Sequence, residues 1–134
     1  MGHRRFSMKY RILVCGGRNL DPHKVAKTLE KNYSHMIDDI IVVHGGARGA
    51  DEGADLFADK MGIEKDVFPA DWKQYGKRAG LIRNREMLHS RINVVVAFPG
   101  GKGTQNMIDI SNKAGKIVVM VPGDYDYNFG LTIN

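Results

Sequence analysis

A chain of 134 residues fits one domain with a real core, and its 43% hydrophobic and 26% charged residues are the shares of an ordinary soluble globule. The formal charge of +5 favours anionic partners, while the lone Cys15 excludes an internal disulfide and suits a reducing, cytoplasmic compartment. No run approaches the ~18 apolar residues of a membrane span and no signal-peptide core is visible, so no membrane partner is expected.

The first apolar run, "YRILVC" (10–15), reads as a strand and runs into "CGGRNLD". "DPHKVAKTLEKNY" (21–33) is a predicted helix, with Asp21 as N-cap and Pro22 at the first helical position. "DIIVVH" (39–44) is the second strand and ends at "HGGARGAD". In "GADEGADLFADKMG" (49–62), Ala50, Ala54, Phe57, Ala58 and Met61 recur at helical spacing, and Gly62 supplies the stop. "KDVFP" (65–69) is the third strand, followed by a long connection carrying Trp72 and Tyr75. "KRAGLIRNREMLHSR" (77–91) is the third helix. "NVVVAF" (93–98) leads through "FPGGKGT" into the fourth helix, "TQNMIDISNKAG" (104–115), and "KIVVMV" (116–121) closes the pattern. The tail "GDYDYNFGLTIN" (123–134) has no period and stays unassigned.

Near-continuous apolar strands alternating with helices predict an α/β fold with a parallel sheet buried on both faces. The expected form is a single Rossmann-like doubly wound domain over the whole chain, its core about residues 9–122, with five strands in the order 3-2-1-4-5. In such sheets ligands lie at the carboxyl ends of strands, where the strand order reverses. The three glycine-rich junctions follow strands one, two and four, which are neighbours in that order.

A helix N-terminus offers unpaired N–H groups and partial positive charge, and glycine lets an anion approach them closely. Sixteen glycines exceed the usual share, and many sit at strand ends. The candidate ligand contacts are Gly16, Gly17 and Arg18 after the first strand, and Gly45, Gly46, Ala47 and Gly49 after the second. Pro99, Gly100, Gly101, Gly103 and Thr104 form the third group. The competing reading is that these glycines only make tight turns. Neither a Walker A loop nor G-x-G-x-x-G occurs.

Taken together, "GGRNLD", "HGGARGAD", "PADWKQYGKRAGLIRNREML" and "FPGGKGT" resemble the YspA-related branch of the SLOG superfamily over about residues 11–121. Its more distant relatives include the Lonely Guy phosphoribohydrolases and the Rossmann-like part of the DNA-processing protein DprA. The resemblance implies a Rossmann-like domain that binds nucleotides or their derivatives, found in bacteria and phages. The phosphoribohydrolases carry "PGGxGTxxE"; here "PGGKGTQNM" keeps the loop but places Met107 where the glutamate stands. Arg83 matches the position of their catalytic arginine. Hydrolysis would then fall to Arg83 with Asp51 or Asp109 as substitute carboxylate.

Arg83 and Asn84 share a helical face with Gly80 and Met87 and suit a phosphate or ribose contact, against the alternative of a solvated basic face. Asp51, in a first helical turn, either favours the helix dipole or contacts a ligand hydroxyl or metal. Trp72 and Tyr75 stack on a base or plug the core. The five histidines form no zinc spacing, and no metal site is expected, although magnesium is compatible with a phosphorylated ligand. His44 reads as structural and Cys15 as a packing residue. The leading expectation is a sensor or sequestering protein for a nucleotide-derived ligand, as a homo-oligomer. The alternatives are a nucleoside-monophosphate phosphoribohydrolase and a nucleic-acid binder.

Overall fold

The computed structural model describes residues 9–125. Five strands, β1 (Tyr10–Cys15), β2 (Ile40–His44), β3 (Glu64–Val67), β4 (Val94–Ala97) and β5 (Ile117–Met120), form one sheet in the order β3-β2-β1-β4-β5. Every pairing is parallel; Ile12 aligns with Val42 on one side and Val94 on the other. The helices are α1 (Pro22–Tyr33), α2 (Ala50–Met61), α3 (Trp72–Tyr75), α4 (Ala79–Leu88) and α5 (Lys102–Lys113). This is the doubly wound arrangement that the alternation predicts, with its reversal between β1 and β4.

Period-two alternation divides the core between two layers. Ile12, Val14, Val42, Val94 and Val96 pack with Val25 and Leu29 of α1 and with Ala54 and Phe57 of α2. Leu13, Cys15, Val43, Val95 and Ala97 pack with Met87 of α4 and with Met107 and Ile108 of α5. The three central strands are therefore buried on both faces. The edges differ from that expectation: β3 is mostly exposed, and β5 exposes Ile117 and Met120, because an edge strand lacks a neighbour on one side.

Local signals set some helix ends. The Asp21 carboxylate accepts from His23 N at 2.9 Å and caps α1, with Pro22 following it. Gly62 stops α2 in the left-handed region at φ 68°. Several helical boundaries move. α4 begins at Ala79 rather than 77, after the short helix α3, expected as an irregular connection, and a 3-10 turn (Gly76–Arg78) that takes up the expected first residues of the helix; it ends at Leu88 rather than 91. α5 begins at Lys102, two residues before the expected start, so Lys102 and Gly103 belong to its first turn. Of the unassigned tail, 126–134 lie outside the described residues.

Candidate functional site

The three junctions meet because they are bonded to one another. Gly17 N donates to Pro99 O at 2.8 Å, and Ala50 N donates to Gly17 O at 3.1 Å, so Gly17 links all three. Their meeting forms the floor and one wall of a cavity of about 700 Å³ at the carboxyl ends of the strands, with α4 and α3 opposite.

From the first junction, Gly16, Gly17 and Arg18 line this cavity; from the last, Pro99, Gly100, Gly101, Gly103 and Thr104 do so. The α5 N-terminus carries no side-chain cap. Space over Gly101 and Gly103 is open, with nothing within 4 Å of where a Cβ would stand. Both residues line the cavity with no protein side chain over them. Gly100 differs, because a Cβ there would strike the Thr104 hydroxyl.

The second junction is built otherwise. Only Ala47 and Asp51 from it reach the cavity; Gly45, Gly46 and Gly49 do not line it. Gly45 N and Ala47 N both donate to Asp51 Oδ2 at 3.2 Å, and Gly46 N donates to His44 Nδ1 at 3.0 Å. The expected anion nest is thus filled by the chain's own carboxylate. Gly45 lies beneath the Arg83 guanidinium, and Gly49 presses on the backbone of Gly17 and Arg18. Their lack of side chain serves close packing. His44 Nε2 lies 2.8 Å from Asp55 Oδ1, and acceptance from Gly46 at Nδ1 leaves the proton on Nε2 to donate there. The histidine is structural, as its scattered spacing suggests.

α4 supplies the charged wall. Arg83 Nη1 donates to Gly45 O at 2.6 Å and Nε donates to Asn84 Oδ1 at 3.1 Å. Asn84 Nδ2 donates in turn to Gly103 O at 3.2 Å and Asn106 Oδ1 at 3.0 Å. Asn84, which also lines the cavity, therefore ties Arg83 to the first turns of α5. Burial pushes the Asp51 carboxyl above its usual range, opposed by the Ala47 amide and the nearby Arg83 charge. Burial lowers Arg83, with the Asp51 carboxylate opposing that fall. Cys15, on the cavity floor, is driven upward by burial and then by the Asp51 charge, which makes it a poor nucleophile.

Trp72, half exposed, stands at the mouth, with the Arg18 guanidinium 5.6 Å from its ring centroid. Tyr75 is exposed but does not line the cavity. Asp109 also lies away from it, exposed on α5 and bonded to Gln105 at 2.9 Å. That placement removes Asp109 as a carboxylate for chemistry in this cavity. Met107 is fully buried in the core rather than facing the cavity. Reading the sequence missed Asn19, Leu20, Lys77, Leu81 and Lys102 as lining residues. Lys77 was legible only as part of a basic run, and Lys102 as a loop residue. Among the described residues, four cations, Arg18, Lys77, Arg83 and Lys102, thus line the cavity with a single carboxylate, Asp51. Among the described residues no group of three or more His, Cys, Asp or Glu is placed to hold a metal.

A parallel sheet of order 3-2-1-4-5 with a glycine-lined, basic crevice at its reversal defines a Rossmann-like domain of the SLOG class. More specifically, the chain belongs to the YspA, cpYpsA-related SLOG family, whose model matches residues 10–75. The Gene 61 protein of Mycobacterium phage D29 is 36% identical over 117 residues, covering 81% of this chain and 94% of that protein. Among solved structures, DNA processing protein A (DprA) from Streptococcus pneumoniae superimposes with a TM-score of 0.70 at 18% identity, over 86% of this chain. The match spans only 51% of that DprA chain. A molybdenum cofactor binding protein from Rippkaea orientalis gives a TM-score of 0.62 at 18% identity, over 87% of this chain and 77% of that one. These structural likenesses establish the fold. Among the described residues no helix is long and apolar enough to cross a membrane.

Proposed function

We propose that this protein binds a nucleotide or nucleotide-derived phosphorylated ligand in the 700 Å³ cavity, as a sensor or sequestering protein. The observation that carries the reading is the uncapped α5 N-terminus, open over Gly101 and Gly103 and facing a cavity with four cations. In this reading a phosphate accepts from the first amides of α5, with Lys102 and Arg83 at hand. Arg83 uses Nη1 and Nε within the protein, which leaves Nη2 for the ligand. A planar base stacks on Trp72, and the second Asp51 oxygen accepts from a ligand hydroxyl. The Rippkaea orientalis protein, of the same fold, is described as binding the molybdenum cofactor, which supports a small-molecule cargo for this architecture.

A second reading, cleavage of the N-glycosidic bond of a nucleoside monophosphate, is favoured by Asp51 in the cavity. A cationic sugar needs a carboxylate beside it. Asp51 Oδ2 is, however, held by two amides, and position 107 offers a buried thioether. Binding without turnover is the better fit. The test is mass spectrometry of small molecules released on denaturing the purified protein, followed by calorimetric titration of the candidates found and of a nucleotide panel. A phosphorylated nucleoside derivative is the expected result. No heat with any phosphorylated compound would sink the reading, and release of free base from AMP, lost in Arg83→Ala, would put the hydrolase in its place.

A further inference from the structure

A contact spans the mouth of the glycine-lined crevice. Arg18 belongs to the first junction and Trp72 to α3, which stand on opposite sides of the cavity. The Arg18 guanidinium carbon nevertheless lies 5.6 Å from the centroid of the Trp72 ring, so the pair reaches across the opening. The far edge of the indole lies against α4, with Cη2 at 3.5 Å from where a Cβ on Gly80 would stand. Trp72 remains 49% exposed, and Leu81, which lines the same cavity from α4, 48%. A flat aromatic ring fits such a place, because its faces shed water onto apolar surface and its π electrons attract the cation. The spacing fits as well. A base between guanidinium and indole needs about 7 Å, two layers of ~3.5 Å, so the pair has to part by roughly 1.5 Å. A cation–π contact at an exposed site is weak enough to give way to that exchange.

We propose that Arg18 and Trp72 form a clamp, closed on itself in the free protein, that parts to hold the ligand's base between guanidinium and indole and so selects purine over pyrimidine nucleotides. The inference rests on the nucleotide reading of this crevice and adds to it a role for Arg18 and a class of base. Arg18 serves the base, while the phosphate is left to the α5 N-terminus and Arg83. Both faces of the base leave water in the clamp, one onto the indole and one under the guanidinium. Discrimination then follows ring area: a bicyclic purine covers more of the indole than a single pyrimidine ring does. The exchange also couples entry to recognition, since a phosphorylated sugar without a base has nothing to offer in place of the Arg18–Trp72 contact.

Trp72 is the only tryptophan in the chain, so its fluorescence reports on the clamp directly. AMP, CMP and ribose 5-phosphate are titrated into the whole protein and followed by calorimetry and by Trp72 emission. AMP should change the emission and bind roughly tenfold more tightly than ribose 5-phosphate, with CMP between them. Ribose 5-phosphate should bind without changing the emission. Arg18→Ala, at an unchanged melting temperature, should bring AMP close to ribose 5-phosphate in affinity while the sugar phosphate itself hardly moves. AMP binding that leaves Trp72 emission unchanged, or that ignores the loss of Arg18, overturns the clamp and makes the pair a plain surface contact. Equal weakening of AMP and ribose 5-phosphate in Arg18→Ala also overturns it, by placing Arg18 at the phosphate. In those cases the nucleotide reading stands. Absence of heat with these three and with every other phosphorylated compound removes that reading and the clamp together.

Discussion

The loops 44–51 and 98–104 look alike on the page: a buried strand, two adjacent glycines, then a helix. They do opposite things. In the first, the amides of Gly45 and Ala47 turn inward onto Asp51, and Gly49 packs against backbone. In the second, Gly101 and Gly103 open onto the cavity at an uncapped helix. The difference is one helical position. Two residues past the N-cap, α2 carries Asp51 and α5 carries Gly103. A carboxylate there supplies the loop with its own anion; a glycine does not. Glycine content alone thus says little about ligand binding, and the neighbouring anion decides.

The sharpest way to break this comparison is one substitution in each loop. Gly49→Val should destabilise the fold by on the order of 4 kcal/mol, since its φ is 74° and a Cβ would strike the backbone of Gly17 and Arg18. Gly101→Val meets open space and should shift stability by no more than about 0.5 kcal/mol. It should nonetheless abolish binding of the phosphorylated ligand. Thermal melts and calorimetry on both variants test the pair; similar melting temperatures would erase the distinction between the loops.

Arg83 bridges the two loops, so its loss should touch both. Arg83→Ala should weaken a phosphorylated ligand by about 1.5–3 kcal/mol while its nucleoside, lacking phosphate, changes little. It should also lower stability, because Gly45 O loses its donor and Asp51 its nearby positive charge. Equal losses for nucleotide and nucleoside would remove Arg83 from the phosphate end.

Gly46→Val sharpens the contrast at smaller amplitude. Its φ of 74° makes a side chain strained, while the nearest atom to a Cβ, Val67 Cγ1, is 3.4 Å away. The expected cost is about 1–2 kcal/mol of stability, with ligand affinity kept. Loss of affinity at unchanged stability would return the first loop to the binding site.

The smallest effect concerns pH. Asp51 has a folded-state pKa raised above the usual 3.8 by burial. The folded protein therefore keeps its proton to higher pH than the unfolded chain does. As pH falls from the raised value toward 3.8, this group stabilises the fold, and below that window the gain is constant. Asparagine at 51 keeps an acceptor for the two amides but does not titrate. The stability of the parent relative to Asp51→Asn should therefore rise as pH falls through this window, as denaturant titrations can measure. A difference that stays flat, or falls, would mean that the amides and Arg83 outweigh burial.

Local chemistry decides much of this molecule, and the sequence by itself determined the sheet order, the N-cap of α1, the stop of α2 and the convergence of three junctions. Each depends on patterns a few residues long together with the handedness of βαβ units. The resemblance carried by "GGRNLD", "HGGARGAD" and "FPGGKGT" likewise pointed to the family. The fate of individual amides was left to the tertiary structure. That Asp51 fills the first loop's nest depends on a side chain folding back over its own turn. That Asp109 faces solvent while Lys77 and Lys102 reach the cavity depends on where α4 and α5 begin and how they rotate against the sheet. A shift of two residues in a helix start turns a side chain by more than half a turn. Hydrophobic periodicity does not resolve a boundary that finely, so the fold was legible and the detailed wall of its crevice was not.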